Sequence, residues 1–277
     1  MTHVRPSIAD KRRAFHKLHA SGCFVIPNPW DVGSARFLQG LGFKALATTS
    51  SGFAWSHGHP DGGMSRDRVL DHLTEMVEAT DLPINADFEH GFAPDAAGVA
   101  ESVRLAVATG VAGLSIEDST GDASHPLFAN DEAVERIRAA RKAIDKAGGD
   151  TLLVGRAECF LVGRPDVEFA IERLKAYANA GADCLYAPGI RTAEHIEAIV
   201  AGVAPKPVNL LMGWPGKLTV HEIAGLGVRR ISVGGGLARA AWGAFIRAAK
   251  LILDEGKFAG FADAAPGVDL DKFFGGG

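Results

Sequence analysis

Short apolar runs alternate with longer segments of helical period along almost the whole chain. The runs fall at residues 24–27, 45–48, 83–86, 114–117, 151–156, 184–187, 207–211 and 230–233, each of strand length. Between them, at 32–41, 66–80, 94–109, 132–147 and 167–180, lie segments that read as helices. A helix over 7–20 precedes the first run, with Ser7 as N-cap and Ala14, Phe15 and Leu18 as its apolar positions. Another, over 237–255, follows the last run. About eight such units predict an α/β fold, a (β/α)8 TIM barrel with an N-terminal helix that closes its bottom or lies against a neighbour. No linker or shift in composition interrupts 1–277, so a single domain is expected, with a C-terminal arm from about 256 to 277.

Two loops, 49–65 and 119–130, are longer than the usual two to six residues and read as binding loops or lids. The arm carries Phe258, Phe261, Phe273 and Phe274 among glycines and ends in Gly275-Gly276-Gly277. Those aromatics pack either on another subunit or on the chain's own barrel.

The polar residues that end the apolar runs carry the candidate chemistry. Pro83-Ile84-Asn85-Ala86-Asp87-Phe88-Glu89-His90-Gly91 and Gly113-Leu114-Ser115-Ile116-Glu117-Asp118 are two strand-like runs that finish in acid pairs. In a barrel such ends converge on one face, where the active site lies. Clustered carboxylates need a cation or shared protons, and an all-oxygen set suits Mg²⁺ or Mn²⁺. The alternative is that these acids cap the helices that follow. Arg156 closes an otherwise apolar run, so its guanidinium meets either a carboxylate substrate or, structurally, Glu158 or Glu117. Ser50-Ser51-Gly52 offers hydroxyls and backbone N–H groups for an anion. Gly234-Gly235-Gly236 is either a phosphate cradle or a tight turn. Among ten histidines, His125 in the second long loop is the best placed for acid–base work.

Bulk properties exclude some classes. Hydrophobic residues make up 47% and charged residues 22%, as in ordinary globular proteins. A net charge of -4, without a Lys/Arg-rich run, gives no support for nucleic-acid binding. No apolar stretch approaches membrane-spanning length, and Met1-Thr2-His3-Val4-Arg5-Pro6 holds no signal-peptide core. Cys23, Cys159 and Cys184 are widely spaced and odd in number, as buried free thiols of a reducing compartment would be. The expected location is cytoplasmic.

Together the motifs resemble one family. Residues 28–36 (Asn-Pro-Trp-Asp-Val-Gly-Ser-Ala-Arg), Thr48-Thr49-Ser50-Ser51-Gly52, Pro60-Asp61-Gly62, Asn85-Ala86-Asp87, Ile116-Glu117-Asp118 and Gly155-Arg156-Ala157-Glu158 stand in the order of the isocitrate lyase/phosphoenolpyruvate mutase superfamily. The resemblance implies a barrel whose last helix is exchanged between partner subunits, usually in a tetramer. It implies Mg²⁺, with Mn²⁺ as the substitute, and a small α-keto or 2-hydroxy acid as substrate. It assigns Asp61, Asp87 and Glu117 to the metal, and Ser50, Ser51 and Gly52 to the substrate carboxylate. Arg156 and Asp87 meet the substrate, Arg156 neutralises enolate charge, and Asn209 contacts the substrate's far end.

Three departures bear on the reaction. The family's Asp-Ala-Asp reads Asn85-Ala86-Asp87, which removes one charge from the metal motif. The stretch 119–128 of the second long loop lacks the cysteine and lysine of the isocitrate lyases and the lysine and asparagine of the mutases. Ala187-Pro188-Gly189 stands where the lyases place a glutamate. The expected activity is therefore C–C cleavage of a small oxaloacetate-like dicarboxylate through a pyruvate enolate, with His125 as the acid if the loop supplies one. The alternatives are a P–C bond enzyme, such as a carboxyphosphonoenolpyruvate or phosphoenolpyruvate mutase, and a non-catalytic α-keto-acid binding protein.

Overall fold

The computed structural model describes residues 4–275. Met1, Thr2 and His3 of the N-terminal reading, and Gly276 and Gly277 of the tail, lie outside the described residues. The elements run α1 (Ile8–Ala20), β1 (Phe24–Ile26), α2 (Val32–Gly40), β2 (Leu46–Ala47), α3 (Ser50–Ser56), α4 (Arg66–Ala79), β3 (Ile84–Asp87) and α5 (Ala96–Ala108). They continue with β4 (Gly113–Glu117), α6 (Asn130–Lys146), β5 (Leu152–Arg156), α7 (Val167–Asn179), β6 (Cys184–Tyr186), α8 (Ala193–Val203) and β7 (Val208–Leu211). Then come α9 (Val220–Gly225), β8 (Arg230–Ser232), α10 (Gly236–Glu255) and α11 (Gly267–Phe274).

All eight strands are parallel, in the order β1-β8-β7-β6-β5-β4-β3-β2. The seam between the two end strands is drawn together by one backbone bond, Ala47 N to Pro27 O at 3.0 Å, and by Asn28. The Asn28 amide donates to Thr48 O, and its Oδ1 accepts from Val233 N and Gly234 N, all at 2.8 Å. The expected (β/α)8 barrel is the observed fold.

Helix starts follow local capping. Ser7, Asp31, Thr49, Asp95, Asp166 and Thr192 each accept a backbone N–H of the first turn through a side-chain oxygen, which satisfies one otherwise orphaned donor. Asp31 is thereby a helix cap, whereas Asp87 and Glu117 end β3 and β4 and are not the N-caps of the helices that follow them. Helix α1 closes the barrel's lower end. Its Phe15 is fully buried with Ile26, Ala45, Ala47, Ala112 and Leu152, and burial of such a side chain stabilises by roughly 1.5–3 kcal/mol. The larger apolar core lies between the strands and the outer helices.

The loop read over 49–65 contains α3, which packs its Phe53 into the core. The end of the arm folds back onto α2. The Phe273 and Phe37 rings lie 4.9 Å apart, and a Cβ on Gly40 would stand 2.4 Å from Phe273. Further up the arm and along α10, Phe245, Leu253, Phe258 and Phe261 are more than half exposed, at 61%, 83%, 66% and 54%.

Candidate active site

Period-two alternation decides which residues of a strand face the barrel axis. Asp87, Glu117, Arg156 and Tyr186 end β3, β4, β5 and β6, and register pairs Glu117 with Arg156 and Arg156 with Tyr186. Arg156 is the hub. Its Nη1 lies 3.2 Å from Asp87 Oδ1 and 3.1 Å from Glu117 Oε2, and its Nε donates to Glu158 Oε1. The Tyr186 ring centroid is 5.1 Å from the guanidinium carbon.

The start of α3 faces the same point. Ser50 N donates to Asp87 Oδ2 at 3.0 Å, and Asp87 N donates to Thr48 Oγ1 at 2.9 Å. The N-terminal end of a helix dipole thus meets a carboxylate, which stabilises its charge. Asp61, from the loop after α3, reaches the group through the Ser50 side chain.

Negative charge outweighs positive here. Burial pushes the Glu117 carboxyl well above its ordinary range, more than Arg156 pulls it down, and Glu158, Asp87 and Glu89 add to the rise. Burial also raises Asp61 and Glu158, and carries Glu89 up to about 8, with Asp87 and Asp61 contributing. Burial alone would lower Arg156, but Glu117, Glu158, Tyr186 and Asp87 together hold it above its ordinary value.

Asp61, Asp87, Arg156 and Tyr186 border a cavity of about 180 Å³, while Glu89, Glu117 and Glu158 are not among its lining residues. Drug-sized ligands occupy roughly 300–1,000 Å³, so this space fits a small acid. A larger groove, about 490 Å³, runs between α5 and α6 on the barrel flank, away from every strand end.

Not every expected residue lines the cavity. Ser50, Ser51, Asp61, Asp87 and Arg156 do, and Asn28, Tyr186, Arg230 and Ser232 join them. Gly52 lies behind the lining; a Cβ there would come within 2.7 Å of Thr49 Cγ2 and 2.9 Å of Trp30 Cβ. It is a packing glycine. Asn209 is fully buried, its Oδ1 accepting from Arg230 Nε and its Nδ2 donating to Ser232 Oγ, so both ends of the amide are engaged within the protein. His125 stands on the outer loop with its side chain 86% exposed and does not border the cavity.

The glycine triplet is turn geometry, because the N–H groups of Val233, Gly234 and Gly236 are already donated to Asn28 Oδ1 and Val233 O. Gly235 also keeps space open, since a Cβ would meet Ser51 Oγ at 2.7 Å. Tyr186 and Arg230 were missed in the sequence because each sits in a run whose apolar neighbours dominate the reading.

The phosphoenolpyruvate phosphomutase family model matches residues 15–253. The chain belongs to this family. It is an enzyme of the isocitrate lyase/phosphoenolpyruvate mutase superfamily, whose members here are lyases and mutases. This phosphomutase-family chain is 49% identical to a candidate lyase/mutase of Burkholderia cenocepacia J2315, with a TM-score of 0.92 over 96% of each chain. A structure of oxaloacetate acetylhydrolase with its product oxalate matches at 28% identity and a TM-score of 0.85, over 96% of this chain and 94% of that one. The oxaloacetate decarboxylase of Chromohalobacter salexigens is 31% identical over 233 residues, 81% of this chain and 79% of the relative.

For a phosphomutase-family site, the fit of a divalent cation can be tested on the donor set. Among the described residues no three His, Cys, Asp or Glu side chains form a ready metal cage. Mg²⁺, however, is usually held by one or two carboxylates and several waters. Asp61, Asp87, Glu89 and Glu117 supply hard oxygen donors, and Asp87, Glu117 and Glu158 share the one guanidinium of Arg156, which leaves negative charge for a cation to meet. The residues fit such an ion in donor type and in charge.

Proposed function

We propose that the protein is a Mg²⁺-dependent lyase that cleaves a C–C bond of a small α-keto or 2-hydroxy dicarboxylic acid, oxaloacetate-like, and leaves a pyruvate-type enolate. The observation that carries this reading is Arg156, a buried guanidinium that faces a small cavity and is shared among three carboxylates. Two relatives that act on oxaloacetate support the substrate class.

In this reading Asp87, with Asp61 and Glu117, holds Mg²⁺, which when bound withdraws electron density from the substrate's carbonyl and carboxylate oxygens. Ser50 and Ser51 orient the substrate carboxylate through hydroxyl and backbone donors, and Gly52, packed against Thr49 and Trp30, lets the first turn of α3 lie close enough for them to do so. Arg156 sits where negative charge grows as the C–C bond breaks, and fixed donors there stabilise a transition state without reorganising. His125 is the candidate proton donor of the outer loop, reaching the enolate only if that loop closes. Loss of CO₂ from oxaloacetate leaves a small pyruvate enolate that water can protonate, which asks least of such a donor.

The test is a Mg²⁺-supplemented assay on oxaloacetate, 2-methylisocitrate, 2,3-dimethylmalate and phosphonopyruvate. Turnover of oxaloacetate is expected. Turnover of phosphonopyruvate alone would establish a P–C bond enzyme instead, and turnover of none would leave a binding protein. Asp87→Ala is expected to abolish stabilisation by Mg²⁺ in calorimetry, whatever the substrate.

A single domain acting in a homotetramer completes the proposal, since α10 and the first part of the arm carry the exposed aromatics noted above. Light scattering that returned a mass near 29.0 kDa would refute the assembly.

A further inference from the structure

The barrel encloses a second guanidinium, one layer below Arg156. Arg230 opens β8 in register with Asn209 of β7 and is 2% exposed. Its Nε donates to Asn209 Oδ1 at 2.8 Å and its Nη1 to Asn85 Oδ1 at 3.2 Å. Both acceptors are neutral amides. Among the described residues no carboxylate forms an ion pair with Arg230, and Nη2 meets no acceptor. Nor is Nη2 among the atoms sealed in protein without a partner, and Arg230 borders the cavity that Arg156, Asp87 and Ser51 also line.

The electrostatics agree with that geometry. Burial lowers the Arg230 pKa, and the side chains that act against it are Cys184 and Tyr186, neither of them a carboxylate. A guanidinium does not shed its proton in proteins, so its charge persists. A buried charge without a counter-ion is costly, and an amide dipole offsets only part of that cost. The contrast with Arg156 is direct, since that group has three carboxylates. A carboxylate at position 85 would have neutralised Arg230. Asn85 keeps the same hydrogen bond and leaves the charge open to whatever enters the cavity.

We infer that Arg230 anchors a second anionic group of the substrate, so that the site takes a dicarboxylate with one carboxylate on the barrel floor at Arg230 and its 2-keto or 2-hydroxy end above, at Arg156. This rests on the α-keto or 2-hydroxy acid reading of the site and adds the part that recognises the distal group. Position 209 then acts through Arg230, orienting it, without touching the ligand. It also gives Asn85 a specificity role, because its side chain determines whether the floor is cationic or neutral.

Malate and lactate test this directly, as they share a 2-hydroxy acid head and differ by the second carboxylate. Both are titrated calorimetrically into the full-length protein at fixed Mg²⁺. The wild type is expected to bind malate about tenfold or more tightly than lactate, the usual size of a charge-assisted hydrogen bond expressed as a ratio. In Asn85→Asp, which keeps side-chain volume and the bond to Arg230, the ratio should fall below about threefold while lactate affinity shifts less than about threefold. Arg230→Met should behave alike. If it fails to fold for want of donors to Asn85 and Asn209, Asn85→Asp carries the test alone. A tenfold preference that survives in the folded variants, an equal loss for both acids, or a wild type that does not prefer malate would each overturn the role of Arg230. Binding of neither acid by the wild type would instead overturn the reading of the site, and this inference with it.

Discussion

Glu117 and Asp118 are adjacent in sequence and opposite in circumstance. Glu117 faces the axis, where Arg156 is shared with Asp87 and Glu158 and burial keeps the carboxyl protonation-prone. Asp118 points outward into a closed network. Its Oδ2 accepts from Arg173 Nε at 2.7 Å and Tyr177 OH at 2.6 Å, and its Oδ1 accepts from Glu158 N at 2.7 Å. Asp118, Arg173 and Tyr177 are at most 3% exposed. One carboxylate matched to one guanidinium, with both oxygens satisfied, is a scaffold. Three carboxylates around one guanidinium beside a cavity form a site with charge left over for a ligand. Glu158 joins them: its side chain belongs to the site and its backbone N–H to the scaffold.

If that division is right, perturbing the two networks should separate stability from activity. The largest effect is expected for Asp118→Ala. Removing one partner of a fully buried pair strands Arg173 and the Tyr177 hydroxyl, at a cost of about 3–5 kcal/mol. Calorimetry should show a fall in Tm on the order of 10 °C, while the folded fraction retains kcat within about tenfold. A stable but inactive protein would place Asp118 in the site instead.

Arg156→Met should do the reverse. Loss of one preorganised donor at developing charge lowers kcat by about 10²–10³-fold, or roughly 2.7–4 kcal/mol. The Tm should move less than in Asp118→Ala, because Glu117 and Glu158, already raised by burial, can take up protons when the guanidinium is gone. A Tm loss equal to that of Asp118→Ala, with kcat preserved, would make Arg156 another structural ion pair.

Eight apolar runs are enough to specify the barrel, but Glu117 and Asp118 read as an acid pair of one face; the structure separates them, Glu117 toward Arg156 and Asp118 toward Arg173. Other parts were less legible. Helix α3 falls in a stretch that reads as loop because Ser50-Ser51-Gly52 carries turn-forming residues; its start is held by the Thr49 cap and its Phe53 by the core. Helices α8, α9 and α11 were not distinguished as elements, the last two being only six and eight residues long. Arg230 opens the eighth apolar run beside Arg229, and nothing in that run marks its guanidinium as buried. Only closure of the barrel shows that Arg229 turns to the outer rim while Arg230 turns inward. Asn209 was assigned to the ligand by resemblance, and no sequence pattern reveals that a buried guanidinium occupies its oxygen.

A third buried group belongs to the scaffold alone and contributes to its response to acid, as buried His19, lowered to about 3, also does. His72 stacks on Phe53, with ring centroids 3.9 Å apart, and its Nε2 has no partner. Burial lowers its pKa from 6.5 to about 4, with His57 adding to the fall. Between those values the unfolded chain binds a proton that the folded one does not. Stability is therefore fully present above about pH 6.5 and falls as the pH drops toward 4, by about 2 kcal/mol at pH 5. His72→Phe should reduce this limb by roughly half in thermal melts taken from pH 7.5 to 5, His19 keeping its own share, without altering Mg²⁺ binding. An unchanged limb would mean that other groups set it.

The smallest effect is expected where the sequence suggested an acid. Loop 119–130 is a pinned hairpin: Ser119 and Leu127 form a bridge, Thr120 N donates to Pro126 O at 3.1 Å, and Phe128 N donates to Asp118 O at 2.9 Å. The scaffold network therefore anchors its base, and Arg173 Nη2 donates to Phe128 O as well. Its tip is exposed, with His125 Nδ1 3.1 Å from Ser124 Oγ and 4.0 Å from Asp122 Oδ2. To protonate an enolate beside Arg156, the tip would have to fold inward about Gly121, whose φ of 76° and empty surroundings allow rotation. General acids contribute about 10²–10⁴-fold when they transfer a proton in the rate-limiting step. With its ring in solvent and its loop tied to the scaffold, His125→Gln should change kcat and KM by less than about threefold on the substrate turned over. A hundredfold fall in kcat would show that the loop closes during turnover and that the site extends beyond the strand ends.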